Sequence, residues 1–170
     1  MKRVILMIVA ALLVTLCAVP VFAGDNRFIV TRKTVEDKRT GLIWTRAGDL
    51  DKLDWNGASD LVKKLNEKEF AGAKDWRLPS REELGTLTSY AVKAGFIGGT
   101  QADAPYQLFN KIGFNDVQPC WYWTSSINDN NTDSAWVVGM HNGTLRRESK
   151  ESDFCVWPVR GGKRDLQMTE

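Results

Sequence analysis

The residues of this chain that are best suited to thiol or metal chemistry are its cysteines and its single histidine. Cys17 lies in the apolar N-terminal segment, so Cys120 and Cys155 are the pair left to the rest of the chain. An isolated pair of this kind usually forms a disulfide in an oxidising compartment. The alternatives are a reactive thiol pair and a metal site. The wide spacing of the cysteines, with His141 as the only histidine, argues against metal–thiolate chemistry, and the sequence predicts a structural disulfide.

A cluster of carboxylate and amide side chains between residues 128 and 133 is the second candidate for chemistry. Asn128, Asp129 and Asp133 carry the hard oxygen ligands that Ca²⁺ requires. A polar hairpin connection has the same composition, because Asn and Asp are favoured in turns. The segment lacks the EF-hand spacing, so the calcium site and the polar turn both stay open. No other metal or cofactor is predicted.

Tryptophans and arginines in the C-terminal third of the chain are the candidates for binding a ligand. Trp121, Trp123 and Trp136 offer aromatic rings that can stack on a sugar, although tryptophans in strands more often belong to the core. Arg146 and Arg147 can pair with the anionic groups of a polysaccharide. Because neighbouring residues of a strand face opposite sides of a sheet, these two arginines cannot lie on one flat surface. The alternative is an edge strand that is protected by charge.

Motifs and charge exclude some functional classes. The chain contains no Gly-x-Ser-x-Gly motif and no phosphate-binding loop, so neither hydrolase nor nucleotide chemistry is indicated, and no catalytic residue is predicted. Of the 23 basic side chains, Lys2 and Arg3 lie in the N-terminal segment, and the remainder balances the 21 acidic side chains. Strong non-specific binding to nucleic acid needs a basic excess, so nucleic acid is not an expected partner.

The N-terminal segment has the form of a secretory signal peptide. A basic start precedes an apolar run from Val4 to Val19, and Ala23 closes a stretch that is suited to cleavage. The run is shorter than the roughly 20 residues that a membrane span requires, and Pro20 interrupts it. We therefore expect residues 1–23 to be removed on export, leaving a periplasmic or secreted protein with no stable membrane span.

Hydrophobic periodicity and capping signals predict two helices. The first helix has Asp54 as its candidate cap and an apolar face formed by Ala58, Leu61, Val62 and Leu65. Ser80 and Glu83 form a capping box that begins the second helix. Residues 95–119, which follow that helix, contain several glycines and little periodicity. This pattern indicates a long irregular loop region.

The other segments have the composition of short antiparallel strands. Residues 28–44 have the pattern of two short strands, with β-prone runs at 28–30 and 34–35 before a polar turn and at 42–44 after it. The later strands lie at 121–125, 135–140, 144–148 and 154–160. Asn142-Gly143 is the signal of a two-residue hairpin turn. The length fits one domain over residues 24–162, followed by a flexible tail at 163–170.

The order of several motifs resembles the Lcl C-terminal domain family, which is named for the C-terminal domain of a bacterial collagen-like adhesin. The resemblance rests on segments 37–44, 55–58, 76–79, 122–126 and 157–162, in that order along the chain. It implies an α+β, C-type-lectin-like fold shared with the formylglycine-generating, sulfatase-modifying enzymes. Such a fold has two helices packed on a small twisted antiparallel sheet with a long irregular loop region. The adhesin is tied to glycosaminoglycan binding and cell attachment, which implies a binding role here.

These features together predict an exported single-domain binding module that recognises an extracellular glycan or an envelope protein in an adhesion-type role. Two other functions stay open. One is a cofactor- or thiol-dependent oxidoreductase related to the formylglycine-generating enzymes, which would use Cys120 and Cys155. The other is a structural envelope protein with no small ligand.

Overall fold

The computed structural model describes residues 26–128 and 131–162. The predicted signal peptide at 1–23, the predicted tail at 163–170 and Asp129 of the candidate calcium segment lie outside the described residues. The helices are α1 (Trp55–Glu67), α2 (Arg81–Lys93) and α3 (Pro105–Ile112), with a 3-10 turn at Phe70–Gly72. The strands are β1 (Phe28–Val30), β2 (Thr34–Asp37), β3 (Leu42–Thr45), β4 (Lys52–Leu53), β5 (Trp121–Asn128), β6 (Asn131–Gly139), β7 (Leu145–Ser149), β8 (Phe154–Cys155) and β9 (Val159–Gly161). Within the described ranges, no helix has the length and apolar character needed to cross a membrane.

The strands form two sheets, where the sequence predicts one small antiparallel sheet. The first sheet is antiparallel and has the order β1-β2-β3-β9. The second has the order β4-β8-β5-β6-β7, and in it β5 and β8 run parallel where Tyr122 pairs with Cys155. In the first sheet Trp44 of β3 pairs with Val159 of β9. The beginning and the end of the domain are therefore joined by main-chain hydrogen bonds.

Helix α1 begins where its capping residue predicts. Asp54 precedes the helix, and its side chain accepts a hydrogen bond of 2.6 Å from the main-chain nitrogen of Gly57. The predicted apolar face is confirmed, because Ala58 and Val62 are buried. Leu61 and Leu65 are partly buried against the same cluster. The helix covers one face of the second sheet.

Helix α2 begins at the predicted capping box. Ser80 Oγ accepts a hydrogen bond from the Glu83 main-chain nitrogen at 3.1 Å, and Glu83 Oε2 accepts one from the Ser80 nitrogen at 2.8 Å. The Glu83 carboxylate also binds both Nη atoms of Arg77, at 2.6 and 2.7 Å. Arg77 in turn donates to the carbonyl oxygen of Gly161 at 3.1 Å. The start of α2 is thus tied to β9.

Helix α3 corrects the prediction that residues 95–119 are irregular, so the architecture is mixed α+β with three helices. Pro105 stands at its first turn, where a missing N–H costs nothing. Gly113 ends it with φ of 118°, a conformation that favours glycine. Leu108 and Phe109 are buried. The helix spans eight residues, and so short an apolar repeat is not separable from loop sequence by periodicity.

The β6–β7 hairpin has a longer turn than the two residues predicted from Asn142-Gly143. The main-chain nitrogen of Gly139 donates to Thr144 O at 2.9 Å, and that of Gly143 donates to Gly139 O at 2.7 Å. Four residues, 140–143, therefore form the turn. Met140 is fully buried, and its nitrogen donates to Cys120 O. Core packing of Met140 explains the extra length.

The tryptophans divide into a buried group and a partly exposed group. Four of the seven are buried: Trp44, Trp76, Trp123 and Trp157. The Trp157 ring lies at the centre of the core between the sheets, with ring centroids 5.0 to 5.9 Å away in Trp44, Phe109, Phe114 and Tyr122. Trp76 and Trp123 belong to a second apolar cluster under α1. The partly exposed tryptophans are Trp55, Trp121 and Trp136.

The predicted disulfide is confirmed. Cys120 and Cys155 are bonded, with their Cα atoms 6.5 Å apart. Cys120 directly precedes β5, and Cys155 belongs to β8, which is the parallel neighbour of β5. The bond therefore fixes two adjacent strands of the second sheet. The Cys155 side chain is fully buried, whereas Cys120 is partly buried.

Candidate binding surface

Strands β5, β6 and β7 carry most of the side chains that the sequence marks as ligand-binding candidates. In the pairing of β6 with β7, Trp136 lies opposite Arg147, and Val137 lies opposite Arg146. Successive residues of a strand face opposite sides of the sheet, and residues paired across two strands face the same side. Trp136 and Arg147 therefore share one face, and Arg146 lies on the other. The prediction that the two arginines face opposite sides is confirmed.

The first of these faces carries the Trp136 surface, which we define as Trp136, Arg81 and Arg147. The Arg81 and Arg147 Cζ atoms lie 5.0 and 5.4 Å from the centre of the Trp136 ring. Cations at these distances are attracted to the electron-rich face of an indole. The surface is therefore a partly buried aromatic ring with two guanidinium groups close to it.

Helix α2 and strand β5 hold Arg81 beside Trp136. Arg81 is the first residue of α2, and its main-chain nitrogen donates to Ser126 Oγ at 3.1 Å. The nitrogen of Ser125 donates to Pro79 O at 2.7 Å. These bonds attach the start of α2 to β5. The Arg81 side chain also forms an ion pair with Glu82.

The opposite face carries the Trp121 surface, which we define as Trp121, His141, Arg146 and Phe154. The Arg146 Cζ atom lies 4.0 Å from the centre of the Trp121 ring and 5.8 Å from that of Phe154. The His141 ring meets Trp121 edge to face, with 5.0 Å between ring centres. Arg146 Nε donates to Glu148 Oε1 at 2.6 Å, so its charge is already paired.

His141 contributes no charge to the Trp121 surface at neutral pH. Burial and the nearby Arg146 guanidinium lower the pKa of His141 below its usual value. Its Nδ1 atom is buried and has no hydrogen-bond partner in the described part of the chain. A neutral imidazole packed on an indole adds apolar surface, and it leaves Arg146 and Glu148 as the charged groups of this face.

Trp123 lies in the core. Its side chain has no exposed surface, its Nε1 donates to Leu53 O at 2.8 Å, and its ring packs edge to face on Phe154. A sugar cannot stack on a ring that has no exposed face. Of the three candidate tryptophans, Trp123 is buried, whereas Trp121 and Trp136 are partly exposed.

The candidate calcium segment lies where β5 ends and β6 begins. Asn128 ends β5 and pairs with Asn131 of β6, and Asp133 also belongs to β6. The Asp133 carbonyl oxygen accepts a hydrogen bond of 2.9 Å from the nitrogen of Lys150. Within 26–128 and 131–162, no group of three or more His, Cys, Asp or Glu side chains could hold a metal ion. Because Asp129 lies outside these ranges, the calcium site stays a prediction.

Sequence reasoning missed Arg81, His141 and Phe154 as members of these surfaces. The capping box places Arg81 at the first turn of α2, but no local signal pairs it with a tryptophan 55 positions later. His141 is considered from sequence as a metal ligand only. Trp55 is a third tryptophan in contact with a cation, because the Lys150 Nζ atom lies 4.3 Å from its ring centre. Each of the three partly exposed tryptophans thus lies against at least one cation.

Comparison with known proteins yields one family match. The model of the Lcl C-terminal domain matches residues 33–160. No curated protein matches the chain. The matched range contains both tryptophan surfaces, the disulfide and all three helices.

Proposed function

The chain belongs to the Lcl C-terminal domain family, and we propose that it is an exported, adhesin-type binding domain of C-type-lectin-like fold. Its ligand in this proposal is an acidic extracellular glycan, bound at the Trp136 surface. An envelope protein with exposed carboxylates is the second class of partner. The family match supports an adhesin-like domain, and the disulfide is compatible with a periplasmic or extracellular location.

We choose the Trp136 surface because the positive charge of Arg147 is unpaired among the described residues. Arg146 is paired with Glu148 at 2.6 Å, and Arg81 is paired with Glu82. The exposed side chain of Arg147 forms no ion pair with the described residues. Its guanidinium can therefore bind a carboxylate or sulfate, while the apolar face of the same sugar stacks on Trp136.

Two further observations favour a binding domain over a thiol-dependent enzyme. Cys155 has no exposed surface, so an incoming thiolate cannot reach its sulfur. The disulfide joins the residue before β5 to the neighbouring strand β8, which is a position suited to stabilising the fold. The oxidoreductase remains the alternative, and free reactive thiols in the native protein would favour it.

The adjacent arginines provide a matched test. Arg147→Gln and Arg146→Gln each remove one positive charge, but on opposite faces of the same strand. Binding of the exported chain, residues 24–170, to a uronic-acid-containing oligosaccharide would be measured by calorimetry. We expect Arg147→Gln to weaken binding about tenfold or more, since a hydrogen bond to a charged group contributes about 1.5–3 kcal/mol. Arg146→Gln should bind like the wild type.

The other outcomes separate the alternatives. Equal weakening by the two variants would show that binding follows net charge, and it would refute the Trp136 surface. A neutral oligosaccharide that binds as tightly as the acidic one would refute the role of Arg147. Absence of glycan binding would leave a protein ligand or a structural role in the envelope as the function.

A further inference from the structure

We propose that the domain has a second binding site, which takes a small oxyanion in a pocket built around Arg27. The pocket has a volume of about 430 Å³ and is lined by Asn26, Arg27, Lys38, Arg39 and Tyr90. It lies where β1 and the turn after β2 meet the C-terminal part of α2. We call it the Arg27 pocket.

Arg27 is held rigidly, and it has one unused donor. Its side chain is 5% exposed, and its Nε and Nη2 atoms bind the two carboxylate oxygens of Asp37 at 2.8 and 2.6 Å. Its Cζ atom lies 4.9 Å from the Phe28 ring centre and 4.5 Å from that of Tyr90. The remaining Nη1 is buried and has no hydrogen-bond partner within residues 26–128 and 131–162. A buried charged donor without a partner is rare in folded proteins, so this atom indicates a missing acceptor.

Asp37 is not that acceptor, because its carboxylate binds the Nε and Nη2 atoms of Arg27. The Asp37 side chain has no exposed surface, and both of its oxygens bind Arg27. Its Oδ1 also accepts a hydrogen bond of 3.0 Å from the main-chain nitrogen of Arg39. The Arg27–Asp37 pair is therefore neutral as a unit, and Nη1 is its donor atom that lacks an acceptor among the described residues.

The rim of the pocket is positively charged. Lys38 and Arg39 are exposed, and neither forms an ion pair with the described residues. Lys38 Nζ donates to Asn26 Oδ1 at 2.7 Å, which keeps the ammonium group at the rim. Since Arg27 is neutralised by Asp37, the lining carries two uncompensated positive charges. Charge and donors together select an anion with several acceptor oxygens, namely a sulfate, phosphate or carboxylate group.

The Arg27 pocket is separate from the Trp136 surface. Arg81 belongs to the Trp136 surface and Tyr90 lines the pocket, and both are residues of α2. They are nine positions apart in the helix, which corresponds to roughly 14 Å along the axis. Binding at the pocket therefore does not depend on the proposed glycan surface, and the two can fail independently.

The test measures anion binding to the exported chain, residues 24–170, at constant ionic strength. Sodium sulfate, phosphate and acetate would be titrated by calorimetry against sodium chloride. We expect saturable binding of at least one of the oxyanions at one site per chain, and none of chloride. The preferred anion identifies the ligand class, with sulfate or phosphate indicating a tetrahedral group and acetate a carboxylate.

Matched variants locate the site. Lys38→Gln with Arg39→Gln removes both rim charges from exposed positions and is expected to weaken binding at least tenfold. Lys64→Gln with Lys68→Gln removes the same charge from the exposed side of α1 and its C-cap, and should bind like the wild type. Arg27→Lys keeps the charge next to Asp37 but removes Nη1. It should also weaken binding, and its melting temperature would show whether it folds.

Three results would overturn the proposal. One is the absence of saturable oxyanion binding below about 10 mM. Another is binding of chloride as tight as that of the oxyanions. The third is equal weakening by the rim pair and the α1 pair, which would show a response to net charge alone. The rim variants decide the question even where Arg27→Lys does not fold.

Discussion

Removal of the Cys120–Cys155 disulfide is expected to lower the free energy of unfolding by about 4 kcal/mol. The two cysteines are 35 residues apart. Opening a loop of this length returns roughly 13 cal/mol/K of chain entropy to the unfolded state, which is about 4 kcal/mol at 25 °C. With an unfolding entropy of roughly 2.1 cal/mol/K per residue, a domain of this size should melt about 13 °C lower.

The assay compares urea unfolding of two proteins with that of the oxidised wild type. One is the double variant Cys120→Ser with Cys155→Ala, in which the serine occupies the partly exposed site and the alanine the buried one. The other is the wild type after reduction. Because reduction leaves both sulfur atoms in place, agreement of the two within about 1 kcal/mol would assign the loss to the bond itself and not to a packing defect.

A reduced protein as stable as the oxidised one would refute the loop-closure reasoning. Thiol titration of the exported chain extends the test. We expect no thiol in the native or the denatured protein before reduction, and two thiols after it. Thiols that react in the native protein would instead support the oxidoreductase alternative, because catalytic cysteines must be accessible.

Two further predictions concern the fold and its pH dependence. Arg77→Ala should lower the unfolding free energy by about 1–2 kcal/mol, because it breaks the pair with Glu83, whose side chain is only 14% exposed. Arg32→Ala, at an exposed position, should change it by less than about 0.5 kcal/mol in the same urea titration. Since the pKa of His141 is lowered in the folded state, the unfolded chain binds the proton more tightly. Stability should therefore fall as the pH decreases from about 6.5 toward the lower pKa that His141 has in the folded protein. His141→Gln should remove this effect, so that the melting temperature varies less between about pH 7.5 and 5. A profile unchanged by His141→Gln would contradict this assignment, as would equal effects of the Arg77 and Arg32 variants.

The start of each of the first two helices could be predicted from sequence because capping acts over a few residues. Asp54 reaches Gly57, and Ser80 and Glu83 exchange their hydrogen bonds across one turn. The opposite orientation of Arg146 and Arg147 follows from the same local geometry, since the side chains of a strand alternate. The disulfide could also be predicted from sequence, because two cysteines in an oxidising compartment allow one pairing.

Helix α3, the four-residue turn at 140–143 and the parallel pairing of β5 with β8 depend on contacts outside their own segments. Met140 must reach the core, and Cys155 must lie beside Tyr122. The intrinsic helix or strand propensity of each of these short segments is weak, and the burial of neighbouring apolar side chains overrides it.

The sequence by itself thus determined the caps, the strand alternation and the cysteine pairing, since each depends on covalent geometry or on residues a few positions apart. Only the tertiary structure placed Arg81 and Arg147 on the same tryptophan and left Nη1 of Arg27 without an acceptor among the described residues. Both arrangements join residues from different elements, and the packing of α2 against the two sheets brings those elements together. Packing of this kind is set by the whole core, and no single segment encodes it.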